Sequence, residues 1–317
     1  MDKDSKKETF LLIDGSAIVH RAYHALPHFS SSNGQSTGAV HGFFAMLFKV
    51  MQELNPTRVA IAFDRPKPTF RQQLYVGYQA QRPKMESELS DQFKMILEIL
   101  EKAHIATYAV DGYEADDIIG TISEEAKSPK LKDKSRVIIL TGDRDMFQLI
   151  DENTNVLIPI KGISEVILMD AEKVREKYGI KPPQVVELKA LMGDASDNYP
   201  GVPGVGPKTA SNLINDYETI DNIYSNIDNI AAKNQKLAQK LIDGHDSCRV
   251  SHQLAKIVRD VPFVFDFSDC ETKNIQVHDL QDTLTARGFK SLPARVDAVF
   301  GENGIFKQEN KGQMKLL

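Results

Sequence analysis

Along the first two-thirds of the chain, apolar residues gather in short runs, and each run leads to an acid. Phe10 to Ile13 stops at Asp14, and Val59 to Phe63 stops at Asp64. The largely apolar Ile105 to Val110 leads through Asp111-Gly112 to Glu114, and Val137 to Leu140 leads through Thr141-Gly142 to Asp143. Near-continuous runs of this length predict strands covered on both faces, as in a largely parallel sheet. Between them, apolar positions recur at helical spacing. Val40, Phe43, Phe44, Leu47, Phe48, Met51 and Leu54 form one stripe, with Ser36 or Thr37 placed to cap the helix. Residues 91–103 and 115–127 predict two more helices. Strand–helix alternation predicts an α/β fold with helices flanking the sheet.

Two stretches break this pattern. Residues 65–90 are rich in basic, aromatic and proline residues and are long for a simple connection, which marks a functional or a disordered segment. From Pro182 onward the chain reads as helical, with a glycine-rich turn at Gly201 to Gly206. The expected organisation is therefore a sheet domain over 1–190, a helical domain over 191–300 and a polar, fraying tail over 301–317.

Composition changes this picture little: 41% hydrophobic and 26% charged residues in 317 are ordinary for a globular chain. No apolar run approaches the roughly 18 residues of a membrane helix, so no membrane partner is expected. The polar start, MDKDSKKETF, lacks a signal-peptide core. Cys248 and Cys270 form no metal-binding spacing and read as reduced thiols in a cytoplasm. The net charge of −5 argues against a nucleic-acid partner only if the charge is evenly spread. Set nine acids aside as one site, and the remaining 35 of the 44 face 39 basic residues.

Those nine acids come from five places: Asp14; Asp64; Glu114, Asp116 and Asp117; Asp143 and Asp145; and Asp194 with Asp197. In an open parallel sheet the carboxyl ends of the strands share one edge, so the first four groups converge there. Two bare carboxylates ~4 Å apart repel by about 4 kcal/mol at an effective dielectric of about 20. A cleft holding so many must protonate, open or bind cations. Oxygen donors without His or Cys favour Mg²⁺, with Mn²⁺ as a substitute, over zinc. Two such ions can activate a water and stabilise the leaving oxygen of a phosphodiester. Taken singly, each acid reads as a turn or helix-cap residue; only the joint placement is specific.

Val202-Pro-Gly204-Val-Gly206-Pro-Lys208-Thr209 fits a helix-hairpin-helix. Gly204 and Gly206 let a backbone approach phosphate, the helix start offers free N–H groups, and Lys208 adds charge. Such a contact grips DNA without reading sequence. A plain glycine-rich helix–helix turn is the alternative. Within 65–90, Arg65, Lys67, Arg71, Arg82 and Lys84 interleave with Phe70, Tyr75 and Tyr78. Cations that follow phosphates and rings that stack bases suit a single strand, against the alternative of a solvated loop.

Ile13-Asp-Gly-Ser16, Phe63-Asp64, Gly112-Tyr-Glu-Ala-Asp-Asp117, Thr141-Gly-Asp-Arg-Asp145, Leu191-Met-Gly-Asp-Ala-Ser-Asp-Asn198 and Pro200-Gly-Val-Pro-Gly-Val-Gly206 together resemble the 5′ nuclease domain of bacterial DNA polymerase I, and the wider 5′→3′ exonuclease and flap endonuclease family. The likeness runs from about Phe10 to Leu292. It implies a PIN-like fold with a helical arch at 65–90 that admits a 5′ single strand. It also implies one metal site on Asp14, Asp64, Glu114 and Asp116, and another on Asp143, Asp145, Asp194 and Asp197 with Asp116 or Asp117 nearby. Arg82 is implied in catalysis. Arg21, Arg71, Tyr75, Tyr78, Gln79, Arg82, Gly204, Gly206, Lys208 and Thr209 are implied in DNA contact. A potassium ion is implied at the carbonyls of Leu191, Met192, Pro200, Val202 and Val205. The implied substrate is DNA with a 5′ end or 5′ flap, in primer processing and repair, and the implied partner is a DNA polymerase, fused or separate. One departure stands out: the family's arch motif Tyr-Lys-x-x-Arg is Tyr78-Gln-Ala-Gln-Arg82 here, so Gln79 stands where a lysine assists catalysis. That leaves a DNA-binding module with weakened catalysis as the alternative reading.

Overall fold

The computed structural model describes residues 8–26, 36–128, 135–162 and 165–301; the expectations for the first residues of the chain and for the tail beyond 301 fall outside them. Six strands form one sheet: β1 (Thr9–Asp14), β2 (Arg58–Ala62), β3 (Ala106–Tyr108), β4 (Arg136–Leu140), β5 (Thr154–Lys161) and β6 (Glu165–Met169). Their order is β3-β2-β1-β4-β5-β6. All neighbours run parallel except β6, which pairs antiparallel with β5 at one edge. The four runs read from the sequence are β1 to β4. The hairpin of β5 and β6 carries no such run: Pro159 interrupts β5, and it is accommodated where the register shifts between Pro159 and Lys161.

Five helices accompany the first four strands: α1 (Gly15–Ala25), α2 (Gly38–Leu54), α3 (Phe70–Leu74), α4 (Ser87–Lys102) and α5 (Ala115–Glu125). Among the described residues, nine follow the sheet: α6 (Ala171–Tyr178), α7 (Val185–Met192), α8 (Pro207–Tyr217), α9 (Ile220–Ser225), α10 (Ile227–Lys233), α11 (Gln235–Asp243), α12 (His245–Ala255), α13 (Val277–Ala286) and α14 (Ser291–Phe300). Thr37 flanks α2 as expected, but its side chain makes no cap bond. Ser36 instead accepts from Gln92 of α4. No helix among the described residues is long and apolar enough to cross a membrane.

Alternation along β1 divides the core. Phe10 and Leu12 face a cluster with Ile118 and Ile122 of α5 that continues without a break through Leu188, Leu191, Leu213 and Leu241. Leu11 and Ile13 face a second cluster built on Phe43, Phe44 and Phe48 of α2. The last two helices join that second cluster through Leu280, Leu284, Leu292, Val296 and Phe300. The chain therefore returns from the hairpin region to the layer laid down by its first helices. The strand order reverses between β1 and β4, so a crevice opens at their carboxyl ends. Asp14 closes β1, Asp64 follows β2, and Asp143 follows β4.

Fully buried Phe48 joins α2 to α14 within the second cluster, with its ring 5.8 Å from Phe44 and 6.2 Å from Phe300. Phe48→Ala is expected to cost roughly 3–5 kcal/mol, measured as a lowered urea midpoint with an unchanged slope.

Candidate metal centre and nucleic-acid interface

The crevice holds a cleft of about 850 Å³ lined in part by Asp14, Asp64, Glu114, Asp116, Asp143 and Asp197. Asp14 is 4% exposed and caps α1: its carboxylate accepts from Ala17 N at 2.9 Å and from Thr141 Oγ1 at 2.8 Å. Asp64 accepts from Ala115 N at 2.8 Å, and its own N–H donates to Ser16 Oγ at 2.9 Å, so the starts of α1 and α5 are tied to the end of β2. Glu114 precedes α5 and accepts from Thr69 Oγ1 at 3.1 Å, Arg71 Nη1 at 3.2 Å and Tyr78 Oη at 3.1 Å. Beyond β4, Asp143 N donates to Thr141 Oγ1, and Asp143 Oδ1 accepts from Asp145 N at 2.8 Å.

Charge in this cleft is poorly balanced. Burial, then Asp64, pushes Asp14 up to about 7. Burial raises Glu114 to about 7 against the opposing pull of Arg71. Burial, then Asp143, raises Asp145 to about 7 although Lys189 opposes it. Asp116 is raised by burial and then by Asp143, Asp14, Glu114 and Asp64, which links these acids into one electrostatic group. Buried oxygens that hold protons to neutrality for want of positive charge suit hard divalent cations, and the absence of nitrogen or sulfur among them fits the same ions. Among the described residues, no three acidic, histidine or cysteine side chains already form a ready ligand set. Several carboxylates are instead turned onto protein donors. Asp197 Oδ1 accepts from Arg82 Nη2 at 2.6 Å and Gln79 Nε2 at 3.2 Å. Lys189 Nζ lies 2.6 Å from Asp145 Oδ1 and also pairs with Asp194. Burial pushes the Lys189 ammonium down, but Asp145 and Asp194 more than offset this and raise it above the usual lysine value.

Three of the expected site residues are buried against protein partners. Asp117 is fully buried, and its two oxygens accept four donors: Arg71 Nη1 and Nη2 at 2.7 and 2.8 Å, Val258 N at 2.9 Å and Glu114 N at 3.1 Å. All four of these donors belong to the protein. Arg71 is 2% exposed and spends its remaining donors on the carbonyls of Leu254 and Lys256, so it braces the site from behind. Tyr78 is 4% exposed, packs beside Tyr199 at 6.5 Å, and directs its hydroxyl at Glu114 and Asp197, so it offers no face to a base.

The 65–90 segment is less helical than an arch: α3 is followed by turns from 76 to 82 and an extended stretch to α4. It is pinned to the 194–198 turn, with Gln79 N on Asp197 O at 2.9 Å and Asn198 Nδ2 on Gly77 O at 2.7 Å. Arg65 and Lys67 pair with Asp111 at its base, Tyr75 is half-buried, and Arg21 donates to Gly162 O at 2.7 Å beside the cleft. At the hairpin, Gly204, Gly206 and Lys208 are exposed and Thr209 half-buried at the start of α8, while Lys240 of α11 donates to Gly204 O at 3.1 Å. Leu191, Met192, Pro200, Val202 and Val205 surround a tight crossing: a Cβ on Gly193 would stand 2.6 Å from Pro200 C, and one on Gly201 2.2 Å from Gly193 N.

Sequence reasoning missed Thr141, Ser16, Lys189 and Lys240. Lys189 had a signal: a lone lysine in the apolar helix Val185–Met192, five residues before Asp194.

The profile of "5'-3' exonuclease, N-terminal resolvase-like domain" matches residues 9–179, and that of "5'-3' exonuclease, C-terminal SAM fold" matches residues 180–278. The chain is 38% identical to DNA polymerase I of Bacillus subtilis over 292 residues, 92% of this chain and 32% of that protein. It is 40% identical to DNA polymerase I of Geobacillus stearothermophilus over 286 residues, 90% and 32%. It thus spans about a third of the relatives it matches. In structure it is similar to the bacteriophage T5 flap endonuclease in a pseudo-enzyme-product complex with DNA and metal ions, at TM-score 0.63, 18% identity, and 92% and 97% of the two chains. It is also similar to the catalytic core of Rad2 in complex with DNA substrate, at TM-score 0.55, 19% identity, and 92% of each chain. These likenesses show the PIN-like resolvase fold with its mostly parallel sheet.

Two predictions test the electrostatics. Arg71→Ala is expected to destabilise the chain by about 3–5 kcal/mol in urea, because it strands buried Asp117. Asp14 and Asp145 hold protons to about 7 against an ordinary 3.8, and Glu114 to about 7 against 4.5. Across that window the folded chain binds more protons than the unfolded chain, so stability falls as pH rises from about 4 to about 7 and then levels off. The melting temperature in EDTA should be lower at about pH 8 than at about pH 5, and saturating Mg²⁺ should narrow the gap.

Proposed function

Because this chain belongs to the 5′→3′ exonuclease family, across both of whose domain profiles it runs, we propose that it hydrolyses DNA phosphodiesters at 5′ ends and 5′ flaps with two divalent cations. The single observation that carries this reading is the cleft of buried acids raised toward neutrality at the carboxyl edge of the sheet. Asp14, Asp64, Glu114 and Asp116 would hold one cation. Asp143, Asp145, Asp194 and Asp197 would hold the other. Mg²⁺ is the ion we assign, with Mn²⁺ as a substitute. When bound, two such ions lower the pKa of an attacking water and neutralise the leaving oxygen.

The chain's own residues do the rest. Thr141 and Ala17 orient Asp14, Ala115 orients Asp64, and Arg71 braces Glu114, so three of the acids are fixed before substrate arrives. Arg82, whose side chain is about half exposed, brings positive charge from the 76–82 turn into the cleft, toward the scissile phosphate. Arg21 borders the same cleft, and Tyr75 and Gln79 flank the path that a single strand would follow. The start of α8, with Gly204, Gly206, Lys208 and Thr209 and with Lys240 alongside, would grip the duplex backbone through N–H groups and charge. Leu191 O already accepts from Val202 N at 2.8 Å; through its second lone pair, together with the carbonyls of Met192, Pro200, Val202 and Val205, it would hold a potassium ion.

Asp111 pairs with two of the arch cations, whereas Gln79 supports Asp197 with a neutral amide. A binding module with lost catalysis accounts less well for so complete a set of acids. In primer removal and repair, this activity would act beside a DNA polymerase, joined to it or separate. Asp143→Ala should slow cleavage of a 5′-flap DNA in Mg²⁺ by at least about a thousandfold while leaving affinity for the same DNA within a few-fold. Cleavage at an undiminished rate would overturn the two-cation reading.

A further inference from the structure

The two halves of the acid set differ in one respect. Among the described residues, no lysine or arginine stands within ion-pair distance of Asp14, Asp64, Asp116 or Asp143, whereas in the second subsite Asp197 takes the half-exposed Arg82 and Asp145 and Asp194 share one ammonium. Lys189 lies in the last turn of α7, where the helix dipole favours a cation. Its side chain is 18% exposed, and its Nζ sits between Asp145, which follows β4, and Asp194, which follows α7. These carboxylates come from separate elements and are bridged by a group on a flexible four-carbon stem that can withdraw as a unit. A divalent cation entering between them must displace one protein charge; a cation entering among Asp14, Asp64, Glu114 and Asp116 meets only the more distant pairing of Arg71 with Glu114.

We infer that Lys189 is the built-in counter-ion of the second cation subsite, holding Asp145 and Asp194 together without a metal and imposing an order in which the first subsite fills before the second. The inference rests on the two-cation reading above. Lys189 acts as a positioning residue, and its effect is on metal affinity, not on the bond broken.

The test is calorimetric titration of the metal-free chain with Mn²⁺ at fixed pH and salt, with folding checked by near-ultraviolet circular dichroism. The wild-type chain should show one tight and one weak class of site. Lys189→Met should tighten the weak class by about tenfold or more and leave the tight class within about threefold. Lys189→Arg, which keeps the charge, should leave the weak class as weak as in wild type. If Lys189→Met does not fold, Lys189→Gln, which keeps a donor and loses the charge, should show the same tightening. A weak class that is unchanged or weaker in a folded, uncharged variant overturns the inference alone. A wild-type chain that binds no Mn²⁺ overturns the two-cation reading with it.

Discussion

Repulsion among carboxylates at one edge of a sheet is the constraint around which the surrounding structure is arranged. The fold brings the acids together because parallel strands end on the same side, and it cannot separate them without giving up the strand order. What remains is to manage the charge. Asp14 and Asp64 are steadied by N–H groups at the starts of α1 and α5, so backbone dipoles stand in for part of the missing positive charge. Asp145 and Asp194 share Lys189, Asp197 takes Arg82, and Glu114 leans on Arg71. The turns at 76–82 are held against the cleft by Arg82 on Asp197, by hydrogen bonds to the 194–198 turn and by buried Tyr78.

How much of this could be read from the chain depends on which physical signal each feature leaves. β1, β2 and β4 were legible because burial on both faces demands unbroken apolar runs, and an acid at the end of each run marks the sheet edge. β5 and β6 were not, since β6 alternates between exposed and partly covered positions and Pro159 sits at a register shift. Asp116 and Asp117 look alike in sequence, but neighbours on a helix diverge by about 100°. One faces the acids of the cleft, and the other is sealed against Arg71. Arg71 and Tyr78, both buried, make a related point. Composition identifies a basic, aromatic segment, but it does not say which side chains turn inward.

Lys189 shows the opposite failure. Its charge stands out in an apolar helix, yet Asp194, five residues on, is only one of its two partners. The other partner, Asp145, follows a strand in the middle of the sheet, so the pairing exists only once α7 has docked.

The return of α13 and α14 to α2 bears on how the chain is made. The apolar face of α2 emerges well before part of its cover, including Phe300 against Phe48. Contacts so distant along the chain form slowly, and apolar surface left waiting is prone to self-association. During translation the sheet would therefore stand with one layer incomplete until α13 and α14 had been made.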